Sequence, residues 1–118
     1  NVLLLISIFP FVKLYILQRL SALIMIPLVF CHLGLMIYAV QDGLTATEIL
    51  SRTKGSIIWA IFYSTFVLAV STHASIGLRG IIFEIFGFHG IILNFIGWII
   101  FFSLLSLGIY SVYAVTKL

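Results

Sequence analysis

Two histidines, His32 and His73, lie inside long apolar runs of this chain. An ionisable side chain at bilayer depth is costly and by default marks function. A neutral imidazole suits haem iron, and two histidines on neighbouring membrane helices make a low-spin electron carrier. The alternative for His73 is a plain hydrogen bond to an adjacent helix.

The residues after His73 favour the haem-ligand reading. In "STHASIGLRGIIFE", Gly77, Gly80 and Glu84 fall within about 40° of His73 on a helical wheel. The histidine face is bare of side chains for two turns and acidic at its end. Glycines there let a flat macrocycle, or a second helix, approach the backbone. Arg79 points about 120° away, near the membrane surface. It can pair there with a haem propionate, a quinone oxygen or a lipid phosphate, or it can simply snorkel.

His32 cannot share an iron with His73 of the same chain. It lies about 8 residues before the end of the first apolar run, and His73 about 17 residues after the start of the second. Those positions are about 12 Å and 25 Å from the same surface, an offset of about 13 Å. Each nitrogen on one iron would have to lie about 2 Å from the metal. His32 therefore serves a second haem with a partner from another chain, or it is structural. Any haem on His73 takes its second ligand from a second polypeptide.

A third cluster opens the first run. In "YILQRLSAL", Arg19 sits beside Gln18 and Ser21, on the same membrane side as Arg79 and Glu84. These residues read as the lining of a pocket for a polar head group such as a quinone ring. The competing reading of Arg19 is snorkelling to the interface. His89 reads as a solvated loop residue. Cys31, the single cysteine, can form no internal disulfide and reads as a small buried apolar residue. No P-loop, dinucleotide-binding glycine pattern, HExxH or nucleophile elbow is present, which argues against a self-contained enzyme.

The elements that carry these residues follow from composition. Of 118 residues, 64% are hydrophobic and 8% charged, against about 25% charged in soluble domains. The fold class is all-α: an integral membrane protein with one domain over residues 1–118. Three runs reach the about 20 apolar residues that cross a bilayer, at about 13–40, 56–84 and 91–116. Pro27 should kink the first. Between the first two runs, Asp42-Gly43 marks a turn. Thr45-Ala46-Thr47-Glu48 fits a capping box, which predicts a short interfacial helix over about 46–52. Tyr110, Tyr113 and Lys117 read as interfacial anchors.

Residues 2–9 are too short to span and read as lying in the interface or docking on a partner. They lack a basic stretch before them and a small-residue site after them, so they are not read as a signal peptide. Three spans put the ends of the chain on opposite sides. Lys13, Arg19 and Arg79 on one side balance Arg52, Lys54 and Lys117 on the other, so charge alone sets no orientation. The formal charge of +3 forms no basic patch, and nucleic-acid binding has no support.

Two segments together resemble the cytochrome b membrane-anchor subunits of succinate dehydrogenase and fumarate reductase, complex II. That family opens its first helix with Arg-x-Ser/Thr-Gly/Ala, matched by Arg19-Leu20-Ser21-Ala22. A second helix carries His-x3-Gly, often with Arg two residues on and an acid eleven after the histidine. His73, Gly77, Arg79 and Glu84 match it. Three spans in a chain of this length fit as well.

The resemblance implies an axial haem b ligand at His73, with Arg19 and Ser21 near quinone and haem propionates. It implies docking beneath an iron–sulfur subunit that carries a flavoprotein, beside a second membrane-anchor chain. The start of the first helix would face the cytoplasm or matrix. The chain departs from the pattern at Glu84-Ile85, where the family often has Asp-Tyr; Tyr15 is the substitute for that tyrosine. His32 is similar to the extra histidine of anchors that hold two haems. The loop stretch resembles a short bacterial branch, which implies the bacterial cytoplasmic membrane, with the mitochondrial inner membrane as the alternative. The other readings are a haem b anchor of a different quinone-linked oxidoreductase, and a haem-free structural subunit.

Overall fold

A computed structural model of the chain describes residues 10–117. The expectation that residues 2–9 lie at the interface falls outside the described residues. Four helices follow in order among the described residues: α1 (Pro10–Gln41), α2 (Ala46–Thr53), α3 (Ile57–Phe86) and α4 (Gly90–Thr116). Three of them, α1, α3 and α4, are long and apolar enough to cross a membrane. With α2 as the short loop helix, this is the all-α membrane architecture that the apolar runs predict.

Local chemistry sets the boundaries. Thr45 caps α2, its hydroxyl accepting from the Glu48 N–H at 3.2 Å. Ser56 caps α3 in the same way, through the Trp59 N–H at 3.3 Å. These caps satisfy N–H groups that a helix start leaves free. Gly87 ends α3 with φ 71°, a left-handed conformation that suits glycine. α1 starts at Pro10, where a missing N–H costs nothing, and remains helical through Pro27.

α3 is the central helix, packed along α1 on one side and α4 on the other. Most of the residues buried in these contacts are small or polar, with Leu93 of α4 the large apolar exception among the described residues. Ser21, Ala60, Ala69, Ser71 and Ser75 are buried, while large apolar residues such as Phe30, Ile58 and Ile91 are 71%, 80% and 86% exposed. This is the reverse of a soluble domain. Lipid drives no apolar side chain inward, so close backbone approach decides what lies between the helices. Gly108 of α4 shows this directly, because a Cβ there would collide with Val67 of α3.

Cys31 departs from its expected burial: it is exposed. An apolar residue in a lipid-facing chain has no reason to turn inward, so composition does not predict its burial.

α2 is tied to the far end of the bundle. The Thr53 hydroxyl donates to the Val115 carbonyl at 2.8 Å, and the Gly55 N–H donates to the Thr116 carbonyl. Arg52 donates to the Tyr38 hydroxyl at 3.4 Å and lies over its ring. That bond is the main cause that raises the guanidinium above its ordinary pKa.

Candidate functional site

The antiparallel register of α1 and α3 decides which motif residues meet. Gln18 lies against Gly77, Ser21 against His73, and His32 against Tyr63 and Phe66. The two halves of the motif, Arg-x-Ser on α1 and His-x3-Gly on α3, are therefore neighbours across one helix contact.

His73 is half-buried and held on one side. Its Nδ1 lies 3.3 Å from the Gln18 carbonyl and 3.4 Å from the Ser21 hydroxyl. Ser21, buried, donates in turn to the Gln18 carbonyl at 2.9 Å. A carbonyl only accepts, so the Gln18 contact calls for the tautomer with the proton on Nδ1. That leaves the lone pair on Nε2, which has no hydrogen-bond partner among the described residues. A metal-ligating histidine is oriented in the same way, by donating its other ring N–H.

The glycines of the His73 face divide. A Cβ at Gly77 would sit 3.3 Å from Gln18 Nε2, so this glycine lets α1 come close. A Cβ at Gly80 would meet nothing within 4 Å. The space is open there, one and two turns from Gly77 and His73 respectively.

His32 has a different setting. Its ring meets Tyr63 and Phe66 edge-on, with centroids 6.1 Å and 5.5 Å away. Its Nδ1 is buried without a hydrogen-bond partner among the described residues. Tyr63 and Phe66 precede His73 by 10 and 7 residues, about 10–15 Å along α3. The axial separation inferred from the sequence thus agrees with the packing.

The residues grouped as a quinone pocket are parted. Ser21 faces α3, whereas Arg19 is exposed with its guanidinium 4.9 Å from the centre of the exposed Tyr15 ring. Residues two apart on a helix point about 200° apart, so Arg19 and Ser21 cannot share one face. Glu84 is exposed near the end of α3. His89 is also exposed, with Nδ1 3.1 Å from the Gly87 carbonyl.

Arg79 turns towards α4, away from the His73 contact with α1. It donates to the Asn94 side-chain carbonyl at 2.8 Å, and its stem packs on Gly97. Asn94 belongs to none of the sequence motifs. It is the only Asn of the third apolar run, and a polar amide inside a membrane helix is the signal that could have found it.

The fold and this site define a class: a three-span membrane protein with one histidine held through its Nδ1 at a helix contact. The family comparison sharpens that. Residues 3–109 match the family model described as succinate dehydrogenase/fumarate reductase transmembrane subunit. The chain belongs to that family, as the resemblance implied. Comparison with curated proteins and with solved structures gives no match. Family membership implies association with other subunits of such a complex and with membrane lipid.

Proposed function

We propose that this chain carries haem b on His73 and helps pass electrons from an iron–sulfur subunit to quinone in a succinate:quinone oxidoreductase. The observation that carries this reading is the orientation of His73. Gln18 and Ser21 hold Nδ1 at 3.3 Å and 3.4 Å, while Nε2 stays free among the described residues. The residues fit the group: an oriented imidazole, with open space at Gly80 on the same face. Bound haem b supplies a one-electron couple.

The chain's own residues then do three things. Ser21 and the Gln18 carbonyl fix the ring and its tautomer. Gly80 keeps the adjoining surface bare, where the macrocycle and a second anchor chain would sit. Arg19, Tyr15 and Glu84 lie exposed at the start of α1 and the end of α3, where they form this chain's side of a quinone site against the iron–sulfur subunit. Ser21 serves the haem rather than the quinone. Gly77 serves the α1 contact.

Arg79 faces α4, so the haem reading gives it no part. His32 lacks the outer hydrogen bond that supports a ligand, so this reading assigns one haem, not two. The resemblance of the loop favours a bacterial cytoplasmic membrane. The iron–sulfur subunit is joined in turn to a flavoprotein subunit.

One observation also favours a haem-free subunit: the His73 hydrogen bonds join α1 to α3 by themselves. The reduced-minus-oxidised spectrum of the purified complex separates the two readings. A haem b absorption that disappears in His73→Ala is expected. A His73→Ala complex with the full spectrum and activity overturns the haem assignment.

A further inference from the structure

A second site lies on another flank of α3, where α1, α3 and α4 border a cavity of about 340 Å³. Its walls are mainly apolar and include Leu14, Leu17, Trp98 and Phe101, while Arg79 and Asn94 lie at one end. The charged group is fixed: the guanidinium bonds Asn94 at 2.8 Å and its stem rests on Gly97. Its bonded partner is a neutral amide, and no carboxylate lines the cavity.

Depth narrows the occupant. Arg79 lies 7 residues before the end of α3 at Phe86, and Asn94 lies 4 residues after the start of α4 at Gly90. These are about 10 Å and 6 Å below the helix ends, one to two turns under the surface. A fixed cation at that level calls for an anion, because an unpaired charge there is costly. The apolar walls call for a hydrocarbon chain joined to that anion. A neutral quinone would leave the charge unbalanced, and free phosphate would leave Trp98 and Phe101 without a partner.

We propose that this cavity holds one anionic phospholipid, with its phosphate on Arg79 and an acyl chain along Leu17, Trp98 and Phe101. Arg79 suits the phosphate because its planar fork offers two parallel donors while Asn94 holds it in place. This assignment does not rest on the haem reading, since Arg79 and His73 serve different faces of α3.

The test uses the intact complex that contains this chain, stripped of loosely held lipid. It is then reconstituted in nanodiscs of mixed phosphatidylglycerol and phosphatidylcholine. Lipid retained after re-extraction is counted by native mass spectrometry, with haem absorption recorded on the same samples. The wild type should retain phosphatidylglycerol in preference to phosphatidylcholine. Arg79→Gln should weaken that retention about tenfold. Leu17→Trp, which fills the cavity and leaves the guanidinium intact, should weaken it as well. Arg52→Gln, at the opposite end of the bundle, should not, and haem content should be unchanged throughout.

Wild-type retention of phosphatidylglycerol by both Arg79→Gln and Leu17→Trp overturns the proposal. So does equal retention of phosphatidylcholine by the wild type. So does one-for-one displacement of the lipid by a quinone analogue, or by inorganic phosphate. Should Arg79→Gln fail to assemble, Leu17→Trp and Arg79→Lys decide the matter. Lysine keeps the charge without the fork and should lose part of the retention.

Discussion

His73 and His32 are the same side chain in the same α1–α3 contact, and the chain treats them in opposite ways. His73 has its Nδ1 against a carbonyl and a buried hydroxyl, with open space two turns along its face at Gly80. His32 has aromatic rings on its edges and a buried Nδ1 with no partner among the described residues. An imidazole becomes a directed ligand when its second nitrogen is already engaged. Depth in the membrane is common to both residues, so depth alone does not single out the ligand. On the proposed haem reading, the outer hydrogen bond makes the difference.

The strongest way to break this comparison is to remove each ring in turn. His73→Ala should abolish the haem b absorption of the purified complex, while His32→Ala should leave it. Loss in both variants would erase the distinction. Next in size is a pair of glycine changes. A Cβ at Gly80 and one at Gly34 both point into open space within this chain, so neither substitution crowds the chain itself. Gly80→Leu should prevent most haem incorporation by occupying the face beside His73. Gly34→Leu, on the half of α1 that carries His32, should leave haem content unchanged.

A smaller effect is expected from Ser21→Ala. Gln18 still holds Nδ1, so haem should remain but dissociate about tenfold more readily, as outer-shell losses do. A haem-release assay on the reduced and oxidised complex measures this. The smallest effect is on stability. His32→Phe removes an unpaired buried nitrogen and keeps an aromatic ring against Tyr63 and Phe66. It should be neutral or stabilising by about 1 kcal/mol, read as the Tm of the complex. A clear loss would give His32 a partner beyond this chain.

The spans and the short loop helix were legible in the sequence because length and apolarity fix them. The three runs expected at about 13–40, 56–84 and 91–116 became helices Pro10–Gln41, Ile57–Phe86 and Gly90–Thr116. The Thr45 cap and the axial distance between the histidines were legible too, since both depend only on helix geometry. Rotation about each axis was not. A helix that is apolar all round carries no stripe to say which side faces its neighbour. The polar spacing of Arg19 and Ser21 therefore does not reveal that Ser21 faces α3 while Arg19 is exposed. Nor does it reveal that Asn94 faces Arg79. The Gln18 carbonyl that orients His73 could not be read at all, because any residue supplies a backbone carbonyl.

The central claim is that one histidine of this chain is a haem ligand and the other is not. The most direct measurement is haem per flavin in the intact complex, taken by pyridine haemochrome on the wild type and on His32→Phe. One haem per flavin in both samples is the expected result. No haem in the wild type, or two that fall to one in His32→Phe, would contradict it.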